Sequence, residues 1–103
     1  MSDELHFKMN LTPKDADNAQ VNLNTFFGDA LGEYYLTFNT PDCDYKGEGY
    51  VLVTEKEISF YDEKMAPVYV IKREELIYAV PQGFHSDDIS MLFRNNGFVN
   101  AEK

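Results

Sequence analysis

Cysteine is almost absent from this 103-residue chain: Cys43 stands alone, so no disulfide can close within it, as expected of a protein kept in the reducing cytoplasm. Bases are scarce as well. Nine Lys and Arg against eighteen Asp and Glu leave a formal net charge of −9. Binding to nucleic-acid phosphates or anionic lipid rests on clustered bases, so neither nucleic acid nor membrane is expected as a direct partner. No run approaches the roughly 20 apolar residues of a membrane span, and Met1-Ser2-Asp3-Glu4 lacks the basic and apolar regions of a signal peptide. Chemical motifs are missing too: no glycine-rich phosphate loop, Cys-x-x-Cys, His-Glu-x-x-His or Ser-His-Asp pattern stands in the sequence. The expectation is a protein without enzymatic activity and without a cofactor.

What is present is apolar surface. At 44% hydrophobic and 15% aromatic residues the chain can offset its ordering entropy, and its length suits one domain spanning residues 1–103. The negative charge therefore sits on a folded surface. It is weighted to the front: through Glu48 there are nine acids against three bases, and from Gly49 onward nine against six.

The period of two dominates. Leu5, Phe7, Met9 and Leu11 alternate with polar residues and read as a first strand. Thr12-Pro13-Lys14-Asp15 reads as a helix start, and Ala16, Ala19, Leu23, Phe26, Phe27, Ala30 and Leu31 continue at helical spacing to a closing Gly32. Asn18, Asn22, Asn24 and Gly28 are poor helix formers, so a shorter helix followed by a strand stays open as an alternative. From Glu33 only strands follow: Tyr34, Leu36 and Phe38 on one face; Tyr50 to Thr54 after a loop through Gly47 and Gly49; Glu57 to Tyr61; Val68 to Lys72; Leu76 to Val80; Ile89 to Phe93; and Phe98 to Ala101. Asn95-Asn96-Gly97 is the strongest hairpin signal, with positive φ expected at Gly97. The fold class is α+β: mainly antiparallel strands forming a small barrel or sandwich with one N-terminal helix.

The run from Gly49 through Thr54 and Phe60-Tyr61 to Asp62, followed by Val68-Tyr-Val-Ile-Lys72 and Glu74-Glu-Leu-Ile-Tyr-Ala-Val80, resembles the middle of small bacterial pleckstrin-homology-like barrels. The likeness covers residues 49–101 and lies in strand rhythm. It implies a barrel closed by a helix, a place the segment Pro13 to Leu31 would have to fill. The basic loop of the lipid-binding members has no counterpart here, so no functional residue is carried over.

Individual residues point to few sites. His85-Ser-Asp-Asp88 and Asp42-Cys43-Asp44 place metal donors close together, but neither makes a full ligand set, and flanking acids raise a thiol's pKa rather than activating it. No metal is expected. Glu55, Glu57, Asp62 and Glu63 read as a solvated strand face rather than an acid–base pair. Tyr35, Tyr61 and Tyr69 fall by alternation opposite the apolar positions, where tyrosine suits a protein interface. With the acids Asp42, Asp44 and Glu48 they form the candidate partner-binding set. The first functional reading is a regulatory protein-interaction module whose partner is a protein, basic if the acids steer it; oligomeric state is left open. The second is an acidic inhibitor of a nucleic-acid-acting protein, such as an immunity protein or a phage-borne mimic. The third, a ligand carrier or enzyme, needs a pocket with converging polar groups.

Overall fold

The computed structural model describes residues 13–28, 31–82 and 88–103. The alternation over Leu5–Thr12, the hydroxyl cap at Thr12 and His85 lie outside the described residues.

Helix α1 spans Pro13–Phe27 and turns Ala19, Leu23 and Phe27 into the core. It ends earlier than Leu31 because Gly28 takes a left-handed φ of 66° and its amide donates to the Asn24 carbonyl at 2.9 Å. Gly28, not Gly32, is the stop, and the segment Val21 to Phe27 stays helical.

Seven strands follow: β1 Gly32–Asn39, β2 Lys46–Val53, β3 Glu57–Asp62, β4 Pro67–Lys72, β5 Leu76–Gln82, β6 Asp88–Phe93 and β7 Phe98–Glu102. A 3-10 turn, Arg73–Glu75, joins β4 to β5. β2 begins earlier than the glycines suggest, since both Gly47 and Gly49 lie inside the ladder opposite Leu36 and Tyr34. All pairings are antiparallel and form one sheet in the order β4-β3-β2-β1-β7-β6-β5. The class is α+β as expected, and the sheet is open rather than a closed barrel, with β4 and β5 as its edges.

The sheet nevertheless coils on itself. Asn95, in the β6–β7 turn, donates from Nδ2 to the Tyr69 hydroxyl on β4 at 2.9 Å. β4 and β7 are four strand spacings apart, roughly 19 Å across a flat sheet, so only a coiled sheet brings these groups together. Its concave side holds Leu36, Val51, Ile58, Phe60, Met91, Phe93 and Val99, all fully buried.

Helix α1 lies over β5 and touches β2. The asparagines that weaken it as a helix are used in docking. Asn22 Nδ2 donates to the Ala79 carbonyl of edge strand β5 at 2.7 Å. Arg73 donates from Nε to Gln20 Oε1 at 2.9 Å, from Nη2 to Asn24 Oδ1 at 2.9 Å and from Nη1 to the Thr54 carbonyl at 3.0 Å. One guanidinium thus ties the helix to the β4–β5 corner and the β2–β3 turn. That turn works without glycine because the Thr54 hydroxyl accepts the Glu57 amide at 3.1 Å.

In the β6–β7 turn the left-handed residue is Asn96, with φ 68°, and Gly97 is not in that region. Asparagine tolerates αL, and Gly97 is needed for room instead. A Cβ there would stand 2.7 Å from Asn95 Oδ1 and 2.8 Å from Thr40 Cγ2. Gly97→Val is accordingly expected to lower the unfolding free energy by about 1–3 kcal/mol through overpacking, read from the urea midpoint at unchanged m-value. A change below about 0.5 kcal/mol, the range of ordinary surface substitutions, would mean that the turn has space to spare.

Candidate functional site

Side chains on the convex face of the sheet fall into cross-strand rows. Tyr35 on β1 pairs with Glu48 on β2 to one side and Glu102 on β7 to the other, and Glu102 pairs onward with Asp88 on β6. In the neighbouring row Glu33 pairs with Tyr50, which pairs with Tyr61 on β3. Directly opposed side chains on one face stand about 5 Å apart. Tyr35, at 36% exposure, is therefore an aromatic platform flanked by two carboxylates, with a third at Glu33 on its own strand.

This row is not arranged for stability. Like charges placed directly opposite on a sheet repel, and Asp88 faces Glu102. By contrast Glu57 on β3 faces Lys72 on β4, the stabilising arrangement.

Where β1 starts and β7 ends, the convex face dips into a groove lined by Glu33, Tyr34, Tyr35, Glu48, Glu102 and Lys103. The Tyr34 ring itself points the other way, to the helix-covered side of β1 that it shares with Leu36 and Phe38. It rests on Phe26 at 5.7 Å and edge-on against Phe27 at 5.2 Å, between centroids. It also folds back over Gly32, where a Cβ would collide with the ring. Burial holds the Tyr34 hydroxyl above the ordinary tyrosine pKa of 10.0. The Lys103 ammonium lies over the ring, 5.4 Å from its centroid, within cation–π range. A second recess, among Glu55, Lys56, Glu57, Lys72, Arg73 and Glu74, mixes both signs and favours neither.

The candidate partner-binding residues separate into three groups. Tyr35 and Glu48 meet in the groove row, and Tyr61 adjoins it through Tyr50. Asp42 and Asp44 are exposed on the β1–β2 loop, where Thr40 and Cys43 close a turn and Asn95 Nδ2 reaches Asp42 Oδ2 at 3.4 Å. Tyr69 does not share the convex face. It pairs with Phe60 and turns the same way, its ring 6.2 Å from Phe60 and 5.7 Å from Phe38. Ile71, paired with Ile58, shares this buried side with it in regular alternation. Tyr45 joins this inner cluster against Phe38, and its hydroxyl donates to the Glu48 carbonyl. Desolvation, helped by the charges of Asp62 and Glu63, pushes its pKa up.

Glu33, Tyr50, Glu102 and Lys103 were not among the candidates. Tyr50 was within reach of the alternation, since Val51 and Val53 face inward. Glu102 was not, because only the β1–β7 pairing brings it to Tyr35. Cys43 is a half-buried free thiol, and among the described residues no group of three or more His, Cys, Asp or Glu could hold a metal ion. Asp62 serves its own turn, accepting the Lys64 and Ala66 amides at 2.8 and 2.9 Å. No helix among the described residues is long and apolar enough to cross a membrane. No protein-family model matches the chain, and no significant match is found among curated proteins.

Proposed function

We propose that this protein is a non-enzymatic interaction module that receives a basic segment of a protein partner on the convex face of its sheet. The observation that carries the reading is the row Glu48–Tyr35–Glu102, continued by Asp88. Its carboxylates repel one another in the free protein and are relieved by a cation laid across them. Tyrosines at Tyr35, Tyr50 and Tyr61 supply rigid contact area beside it. Two meanders joined at a corner, with a helix laid against the coiled sheet, support a pleckstrin-homology-like scaffold as the framework.

The exposed loop acids Asp42 and Asp44 favour a second reading, an acidic inhibitor that fills the nucleic-acid site of its target. The two readings use different carboxylates. A fluorescein-labelled Arg/Ser-repeat peptide, with a Gln/Ser-repeat peptide as control, separates them by anisotropy. The expected result is binding of the arginine peptide alone, weakened about tenfold or more, some 1.4 kcal/mol, by Glu48→Gln with Glu102→Gln. Asp42→Asn with Asp44→Asn should leave it nearly unchanged. The opposite ranking would transfer the site to the loop, and equal binding of both peptides would remove the electrostatic basis of either reading.

A further inference from the structure

Strand β4 is apolar over Val68-Tyr-Val-Ile71, yet among the described residues it is the one strand that buries none of its side chains. We propose that β4 is the contact between two copies of this chain, which pair edge to edge and antiparallel about a two-fold axis perpendicular to the sheet.

The two edges of the sheet are treated differently. β5 is closed off: α1 lies over it, Asn22 donates to the Ala79 carbonyl at 2.7 Å, and Pro81 brings no amide. β4 pairs with β3 on one side and, among the described residues, with no strand on the other. Its backbone groups point outward at a known place. The Arg73 amide donates to the Lys56 carbonyl at 2.9 Å, so by the antiparallel alternation Ile71 and Tyr69 are bonded to Ile58 and Phe60, and Val70 turns its amide and carbonyl to the open edge. The Val70 side chain is 49% exposed. An edge with open backbone groups and no charge at its middle is a template for another strand.

The strand that fits it is β4 itself. With Val70 set against the second copy's Val70, the outward groups bond reciprocally. On the convex side the row Leu52–Ser59–Val70 runs on into Val70–Ser59–Leu52 of the second copy, and on the inner side Ile58–Ile71 runs on into its Tyr69–Phe60. β4 contains no acid, so the chain's −9 is not concentrated at the contact, and a Debye length of about 8 Å at physiological salt screens the remote carboxylates. The same register lays the β3–β4 turn of each copy beside the Arg73–Glu75 corner of the other, the exposed Lys64 toward Glu74 and Glu75. Asp62 in that turn is bonded to its own amides. The pairing uses the open edge of both copies, so it stops at two chains. Its two convex faces lie on one side of the joined sheet, which gives a basic partner with two segments the advantage of avidity. The dimer itself does not depend on that docking.

Sedimentation velocity of the full chain, from micromolar to millimolar, tests the contact. The expected result is a reversible monomer–dimer equilibrium of the weak kind that small interfaces give. Val70→Lys sets two cations against each other across the axis and should weaken it about tenfold or more, whereas Val21→Lys, on the exposed side of α1 at 61% exposure, should leave it unchanged. Lys64→Glu should weaken it too, and adding Glu74→Lys should restore it. Amide exchange reads the same edge from within: the Val70 amide should exchange freely in dilute protein and become protected as dimer forms, while the Ile71 amide, bonded to β3, stays protected throughout. A chain that stays monomeric at every concentration overturns the proposal, and so does a dimer indifferent to Val70→Lys. Protection of the Val70 amide in dilute monomer also overturns it, since the edge would then be covered within one chain. None of these outcomes touches binding of the Arg/Ser-repeat peptide on the convex face.

Discussion

Replacing Phe60 with alanine is expected to lower the unfolding free energy by about 3–5 kcal/mol, a large share of the 5–15 kcal/mol of an ordinary domain. Phe60 is fully buried on β3, with the Phe38 ring edge-on at 5.1 Å and the Tyr69 ring at 6.2 Å. The loss therefore exceeds one side chain's transfer energy. Tyr69 carries the hydroxyl that Asn95 uses to hold the β6–β7 turn, and Asn95 in turn accepts the Gly97 amide at 2.8 Å. A cavity under Tyr69 loosens the contact through which the coiled sheet meets its own far side. Urea unfolding followed by tyrosine fluorescence measures the change. Tyr61→Ala, one residue along and on the convex face, should cost less than about 1 kcal/mol. If the two substitutions cost the same, the assignment of faces on β3 is wrong.

That assignment shows where the sequence was readable. Ile58 and Phe60 alternate with Ser59 and Tyr61, and both the strand and its buried face follow from side chains alone. The same holds for Tyr34, Leu36 and Phe38 and for the Asn95-Asn96-Gly97 hairpin, because the information is local. Reading failed where a residue's place depends on something distant. Tyr69 reads as outward because it alternates with Val68 and Val70, but the pairing of β4 with β3 sets Ile71 against Ile58 and Tyr69 against Phe60, on the buried side. The end of α1 was misplaced because apolar residues continue to Leu31, whereas the backbone turns at Gly28.

The site was less legible than the fold for the same reason. Asp42, Asp44 and Glu48 are near neighbours in sequence, yet β2 starts at Lys46 and separates them. The loop keeps the two aspartates beside the β6–β7 turn, and the strand carries Glu48 to Tyr35. Glu48 finds its neighbours along the groove in Glu33 and Glu102, one from the strand before and one from the last strand of the sheet. Net charge and tyrosine content suggested a basic partner, but only the sheet register says which carboxylates share an aromatic platform. It also singles out Asp88 opposite Glu102, a repulsive pair that local patterning cannot reveal.

A single methyl group at Gly49 is expected to do nearly as much damage as emptying the Phe60 pocket. Gly49 is buried on β2 opposite Asp62, and a Cβ there would lie against the Tyr61 carbonyl oxygen, closer than real Cβ atoms come, and 2.8 Å from Leu36 Cδ1. The leucine end could swing aside, but the carbonyl belongs to the backbone of β3 and can move only with its strand. Gly49→Ala should thus cost about 3 kcal/mol, at the upper end for overpacking. The damage should be local in a recognisable way: amide exchange should speed up first at Val51 and Phe60, whose strands are pushed apart, and later at Met91 and Val99. Because Tyr50 and Tyr61 ride on those two strands, Arg/Ser-repeat peptide affinity should fall as well, although no groove carboxylate has been touched. Gly28→Ala is the control for conformational strain without crowding. Its φ is 66° with nothing within 4 Å of the added Cβ, so the cost should be about 1 kcal/mol and the affinity unchanged. Should Gly49→Ala prove no worse than Gly28→Ala, β2 and β3 must be able to separate at little cost. The Tyr50–Tyr61 pair could then not serve as a rigid part of the docking surface, and the contact area for a partner would shrink to the row around Tyr35.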